Sequence, residues 1–98
     1  MQVIYKPRGT GKSTDLIKLS VETNSYILVK DRKRALDLSK MASDLGYPQM
    51  LFPITLTEYM ANKMKGSHVK TILIDDADDI LQAIFNTVTI QAITLTKE

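Results

Sequence analysis

Cysteine and tryptophan are both absent from this 98-residue chain. Without cysteine there is no disulfide staple and no Cys-ligated zinc, and the composition fits a reducing compartment. Aromatic residues reach only 6% and do not interleave with basic ones, so nothing supports a stacking platform for single-stranded nucleic acid. Net charge is also small. Thirteen Lys and Arg against 11 Asp and Glu leave +2, too weak to mark a nucleic-acid binder by charge alone. No apolar run approaches the ~20 residues of a membrane span. Met1 to Lys6 runs straight into polar, glycine-containing sequence, so no secretory signal is expected. The remaining balance, 44% hydrophobic and 24% charged, is that of a globular domain rather than a disordered or fibrous chain. The expectation is one small domain over residues 1–98, cytoplasmic, with a single core.

Short β-prone runs alternate with helical patterns along the chain. Gln2-Val3-Ile4-Tyr5, stopped by Lys6 and Pro7, reads as a buried strand. Residues 25–30, around Tyr26-Ile27-Leu28-Val29, and residues 69–74 read the same way. Residues 88–95 close the chain as a β-rich strand, and Met50-Leu51-Phe52 reads as a short extended piece. A helix is expected over 12–22, with Leu16, Ile17 and Val21 on one stripe. A second runs from an Asp31 cap to Leu45, with Ala35, Leu38, Met41, Ala42 and Leu45 inward, Gly46 in the terminating position and Pro48 blocking further helix. Thr55 with Glu58 makes a capping box for a third helix through residue 65. A fourth begins in the Asp75-Asp76-Ala77-Asp78-Asp79 cluster, whose negative charge suits a helix N-terminus, and ends near Phe85 or Asn86. Met41, Met60 and Met64 fall on helical stripes and read as core. There is no internal repeat and no linker. Strands alternating with helices predict right-handed crossovers and an α/β fold: a three-layer α/β/α sandwich around a small, mostly parallel sheet of about four strands.

Gly11-Lys12-Ser13-Thr14 follows a strand and opens a helix, which is the context of a phosphate-binding loop. A helix start offers unpaired N–H groups and the positive end of the dipole to an anion. Glycines let the backbone wrap closely around phosphate oxygens. Lys12 would reach the β- and γ-phosphates, and the Ser13 hydroxyl would hold Mg²⁺. In the full pattern G-x-x-x-x-G-K-[ST] the first glycine position is here Lys6, with Gly9 the residue that supplies flexibility. The alternative is an ordinary glycine-rich turn with a lysine in the first helical turn.

Thr71-Ile72-Leu73-Ile74-Asp75-Asp76 is an apolar strand ending in two carboxylates. Parallel strands deliver their C-terminal ends to one edge, where ligands bind. Asp75 would then face Ser13 and share the Mg²⁺, a cation that prefers oxygen ligands. Asp76 would orient or deprotonate an attacking water. The alternative role for such an Asp is to cap the following helix.

Pro7-Arg8-Gly9-Thr10-Gly11-Lys12-Ser13 and Ile72-Leu73-Ile74-Asp75-Asp76 together resemble the Walker A and Walker B motifs of P-loop NTPases. The nearest likeness is the additional-strand branch of RecA-type ATPases, helicases and viral terminases, in a minimal single-domain form such as a phage would encode. The resemblance covers nearly the whole chain in element order, and only these two motifs are specific. It implies nucleotide contacts from Pro7 through Thr14, ATP or another NTP with Mg²⁺ as cofactors, Ser13 and Asp75 at the metal, and Lys12, Asp76 and Arg8 in catalysis. Arg8 stands where terminases place an arginine against the γ-phosphate, or else is a solvent-exposed loop charge. The implied strand order is 1-4-3-2, with residues 88–95 as the sensor strand carrying Thr94 or Thr96. Family members continue with a fifth strand. Without one, Val3 to Tyr5 would be a bare edge that a protein partner or a second copy covers. The run Gly11-Lys12-Ser13-Thr14-Asp15-Leu16 also resembles thymidine kinases, whose zinc-binding cysteines this chain lacks.

Lys30, Arg32, Lys33 and Arg34 form a basic cluster on the edge expected to hold the phosphate loop. They are either a nucleic-acid contact or a solvated helix start, and cations at a helix N-terminus are unfavourable by a few tenths of a kcal/mol each. Three functions follow as expectations: an ATPase, a nucleotide-binding module that does not hydrolyse, and a nucleic-acid-binding module with a vestigial loop.

Overall fold

The computed structural model describes residues 11–61, 66, 68–85, 91, 92 and 94. In chain order the elements are α1 (Lys12–Thr23), β1 (Tyr26–Val29), α2 (Arg32–Asp44), β2 (Ile54–Thr55), α3 (Leu56–Met60), β3 (Ile72–Ile74) and α4 (Ala77–Ile84).

Local signals in the sequence set most of these boundaries. α1 ends where Asn24 turns left-handed at φ 51° and its N–H returns to the Ser20 carbonyl. α2 starts at Asp31, whose carboxylate accepts from the Arg34 N–H at 2.9 Å. It stops at Leu45, and Gly46 beyond takes φ 92°. The Thr55–Glu58 capping box is fully formed: the Thr55 hydroxyl accepts from the Glu58 N–H at 3.1 Å, and the Glu58 carboxylate accepts from the Thr55 N–H at 3.0 Å.

The strands form an open parallel sheet in the order β2-β1-β3. Leu28 pairs with Ile54 and Val29 with Thr55 on one side, and Tyr26, Ile27 and Leu28 pair with Ile72, Leu73 and Ile74 on the other. Alternation along β1 divides the core between the two faces of the sheet. Ile27 and Val29 pack with Leu16 and Ile17 of α1 and with Ala35, Leu38 and Ala42 of α2. Leu28 packs with Ile54 and with Ile80 of α4. Ile17, Ile27, Val29 and Leu38 are fully buried, and each such side chain stabilises the fold by about 1.5–3 kcal/mol. At the N-terminal end of the sheet the Ser20 hydroxyl donates to the Ser25 carbonyl at 2.7 Å, and the Ser25 hydroxyl bonds Thr71, tying β1 to the start of β3.

Several expectations are corrected. The extended piece forms at Ile54–Thr55 rather than at residues 50–52, and it flanks β1, which the order 1-4-3-2 would leave at an edge. The physical reason is burial: Ile27, Leu28 and Val29 are all inside, and a run buried on both faces belongs in the middle of a sheet. The strand expected over 2–5 lies outside the described residues, as does much of the one expected over 88–95; Gln91, Ala92 and Thr94 are described and belong to no strand. The α/β class and the parallel sheet are as expected; among the described residues there are three strands and four helices, and the expected four-strand sheet rests in part on residues outside them. Leu45 is exposed because it sits past the last turn of α2, and Met60, at 69% exposure, lies at the end of a single short helix rather than in the core. Met64 lies outside the described residues.

Candidate functional site

The C-terminal ends of β1 and β3 point to one edge, and the chain brings its chemistry there from three helix starts. Gly11 opens α1 with φ 89°, a left-handed conformation that favours glycine, and no described residue lies within 4 Å of where a Cβ would stand. The requirement for glycine at this point is thus conformational, not steric. No side chain among the described residues caps α1, and the N–H groups of Lys12, Ser13 and Thr14 have no helical partners.

β3 runs directly into Asp75, whose own N–H bonds the Leu28 carbonyl at 3.0 Å and holds the residue against the end of β1. Asp75 is 6% exposed. Arg34, from the first turn of α2, meets it with a two-bond fork: Nε donates to Oδ2 at 2.8 Å and Nη2 to Oδ1 at 3.2 Å. The same Nη2 donates to the Ser13 hydroxyl at 2.9 Å. One guanidinium nitrogen therefore bridges the α1 serine and the strand-end carboxylate. The bonds to Asp75 push the guanidinium pKa above its already high ordinary range, against the opposing effect of burial.

Asp76 occupies the N-cap position of α4, yet its side chain makes no cap bond. Its backbone is left-handed at φ 51°, and its carboxylate instead accepts from Lys12 Nζ at 3.4 Å. Asp is one of the few non-glycine residues that take this conformation readily, as Asn24 does at the end of α1. Both partners are about one-third exposed, so the ion pair itself adds little.

Of the residues singled out in the sequence, Gly11, Lys12, Ser13, Asp75 and Asp76 lie at this edge, with Thr14 in the first turn of α1. Pro7, Arg8, Gly9 and Thr10, with Lys6, lie outside the described residues. The basic cluster is divided among separate contacts. Lys30 pairs with Asp79 at 3.4 Å, Arg32 stacks over the Phe52 ring at 5.7 Å, Lys33 is exposed, and Arg34 enters the site. Sequence reasoning placed Arg34 with the nucleic-acid candidates and missed its reach to Asp75. The signal available was a run of cations at a helix start, where the dipole disfavours them unless a carboxylate compensates.

A divalent metal bound beside a phosphate would take the Ser13 hydroxyl and an Asp75 oxygen. The donor types suit such an ion, but both oxygens are committed to Arg34 Nη2, so as arranged here the pair does not fit a metal. Among the described residues no group of three His, Cys, Asp or Glu side chains is arranged to hold one. No described helix is long and apolar enough to cross a membrane. Comparison with known protein families, with curated proteins and with solved structures finds no match to this chain.

Proposed function

We propose that this chain binds a nucleoside triphosphate such as ATP through its phosphates at the start of α1. The observation that carries this reading is the convergence of Lys12, Ser13, Arg34, Asp75 and Asp76 at the C-terminal edge of a parallel sheet, beside an uncapped helix opened by a left-handed glycine. An anion placed there meets the N–H groups of α1 and the dipole of a 12-residue helix. Among the described residues Lys12 makes a single long, partly exposed ion pair with Asp76, from which it can turn to a phosphate oxygen. The likeness of residues 7–13 and 72–76 to the P-loop NTPase motifs supports the same ligand.

Hydrolysis is a second reading, favoured by one feature. Asp76 makes no capping bond to α4, which leaves its carboxylate at the site edge, where it would orient a water once Lys12 moves to the phosphate.

Equilibrium dialysis with labelled ATP, competed by tripolyphosphate, tests the binding reading. Saturable binding that tripolyphosphate displaces and Lys12→Ala abolishes is the expected result. Binding that tripolyphosphate leaves untouched would contradict it, because recognition would then rest on the base and sugar.

A further inference from the structure

We infer that Arg34 is the resident cation of the phosphate site, occupying the position a divalent metal would take, so that the ligand enters as the metal-free polyphosphate. This rests on the phosphate-site reading above and goes beyond it by specifying the form of the ligand.

Arg34 Nη2 lies 2.9 Å from Ser13 Oγ and 3.2 Å from Asp75 Oδ1, and a metal coordinated at about 2.0–2.1 Å by those same oxygens cannot share that space with it. The second bond, Nε to Asp75 Oδ2 at 2.8 Å, fixes the plane of the guanidinium, so this is a fork rather than a passing contact. The backbone fixes its origin as well. The Arg34 N–H is the donor to the Asp31 cap, so the residue is pinned at its main chain and at its head group. Arginine cannot vacate the place by losing its proton, and the pairing with Asp75 makes that loss harder still.

The arrangement leaves donors for an anion. Ser13 accepts from Arg34, so its own hydroxyl hydrogen is free to donate. Nε and Nη2 of Arg34 are used, while the two Nη1 hydrogens make no bond among the described residues. A phosphate oxygen beside the α1 N-terminus would therefore find a guanidinium edge and a hydroxyl donor in place of a metal ion and its waters. Asp75 orients that guanidinium and neutralises it in the absence of ligand.

Isothermal titration with ATP, in EDTA and in Mg²⁺, on the wild type and on Arg34→Gln, tests this. The wild type is expected to bind in EDTA and more weakly in Mg²⁺, which draws ATP into its metal complex. Arg34→Gln is expected to lose about tenfold to a hundredfold in EDTA, the worth of one charge-assisted hydrogen bond, and to recover on adding Mg²⁺. Because Arg34→Gln strands a buried carboxylate, Arg34→Lys serves as a second variant that keeps the charge without the fork, with a smaller loss in EDTA. A Mn²⁺ titration of the wild type followed by electron paramagnetic resonance needs no variant, and no saturable site is expected. Wild-type binding that requires Mg²⁺, or a saturable Mn²⁺ site, would overturn the role of Arg34 and leave the phosphate site standing. Absence of ATP binding in both conditions would overturn the phosphate site and this inference together.

Discussion

Arg34 and Asp75, 41 residues apart in sequence, are joined by two parallel hydrogen bonds that lock the start of α2 to the end of β3. Asp75 is nearly buried and Arg34 about a quarter exposed, so the pair is sheltered on one side only. Removing one partner strands the other. Arg34→Ala is expected to destabilise the protein by about 3 kcal/mol, the low end for a buried pair, measured by urea denaturation. A loss below about 0.5 kcal/mol would mean that water already satisfies Asp75.

The same pair carries a pH prediction. A guanidinium whose folded pKa is raised contributes stability that is complete below the unfolded value and lost only as pH rises through the folded one. Both lie far above neutrality. The Arg34 side of the pair is therefore expected to add no slope to stability between about pH 5 and 9. A wild-type stability curve that changes slope there, with the change vanishing in Arg34→Gln, would contradict this.

Gly11→Ala separates backbone strain from space. The site has room for a methyl group, but φ 89° does not suit an L-residue. A loss of about 1–2 kcal/mol in stability is expected, the cost of forcing a side chain into a left-handed conformation. Weaker nucleotide binding should accompany it, since α1 would start differently.

Asp76→Asn keeps a residue that tolerates the left-handed backbone and removes only a weak, exposed pair. Stability is expected to stay within about 0.5 kcal/mol of the wild type. If the protein turns over nucleotide, phosphate release should fall about a hundredfold or more while binding persists. Unchanged release would leave Asp76 without a catalytic role.

Much of this architecture is local and was therefore legible in the sequence. Asp31, the Thr55–Glu58 capping box and Gly46 each mark a boundary through chemistry within four residues, and the structure uses all of them as helix punctuation. The buried run at Tyr26–Val29 was legible for the same reason. β2 was not, since two residues behind Pro53 have no periodicity and become a strand only by pairing with Leu28 and Val29. The convergence of Ser13 and Asp75 followed from the rule that parallel strands end together. What lies between them did not. Whether a side chain in the first turn of α2 spans the gap depends on how closely α2 packs against α1 and β1, and no local pattern records that.

Thermal unfolding with and without ATP, with Lys12→Ala as control, shows whether the start of α1 binds polyphosphate. At a nucleotide concentration near 100 times Kd, binding adds about 2.7 kcal/mol. For a domain of this size that raises Tm by about 10 °C or more. Such a rise is expected in the wild type in EDTA, with a smaller one in Mg²⁺, and none in Lys12→Ala. No rise with millimolar ATP or GTP in either condition, or an equal rise in Lys12→Ala, would contradict polyphosphate binding there.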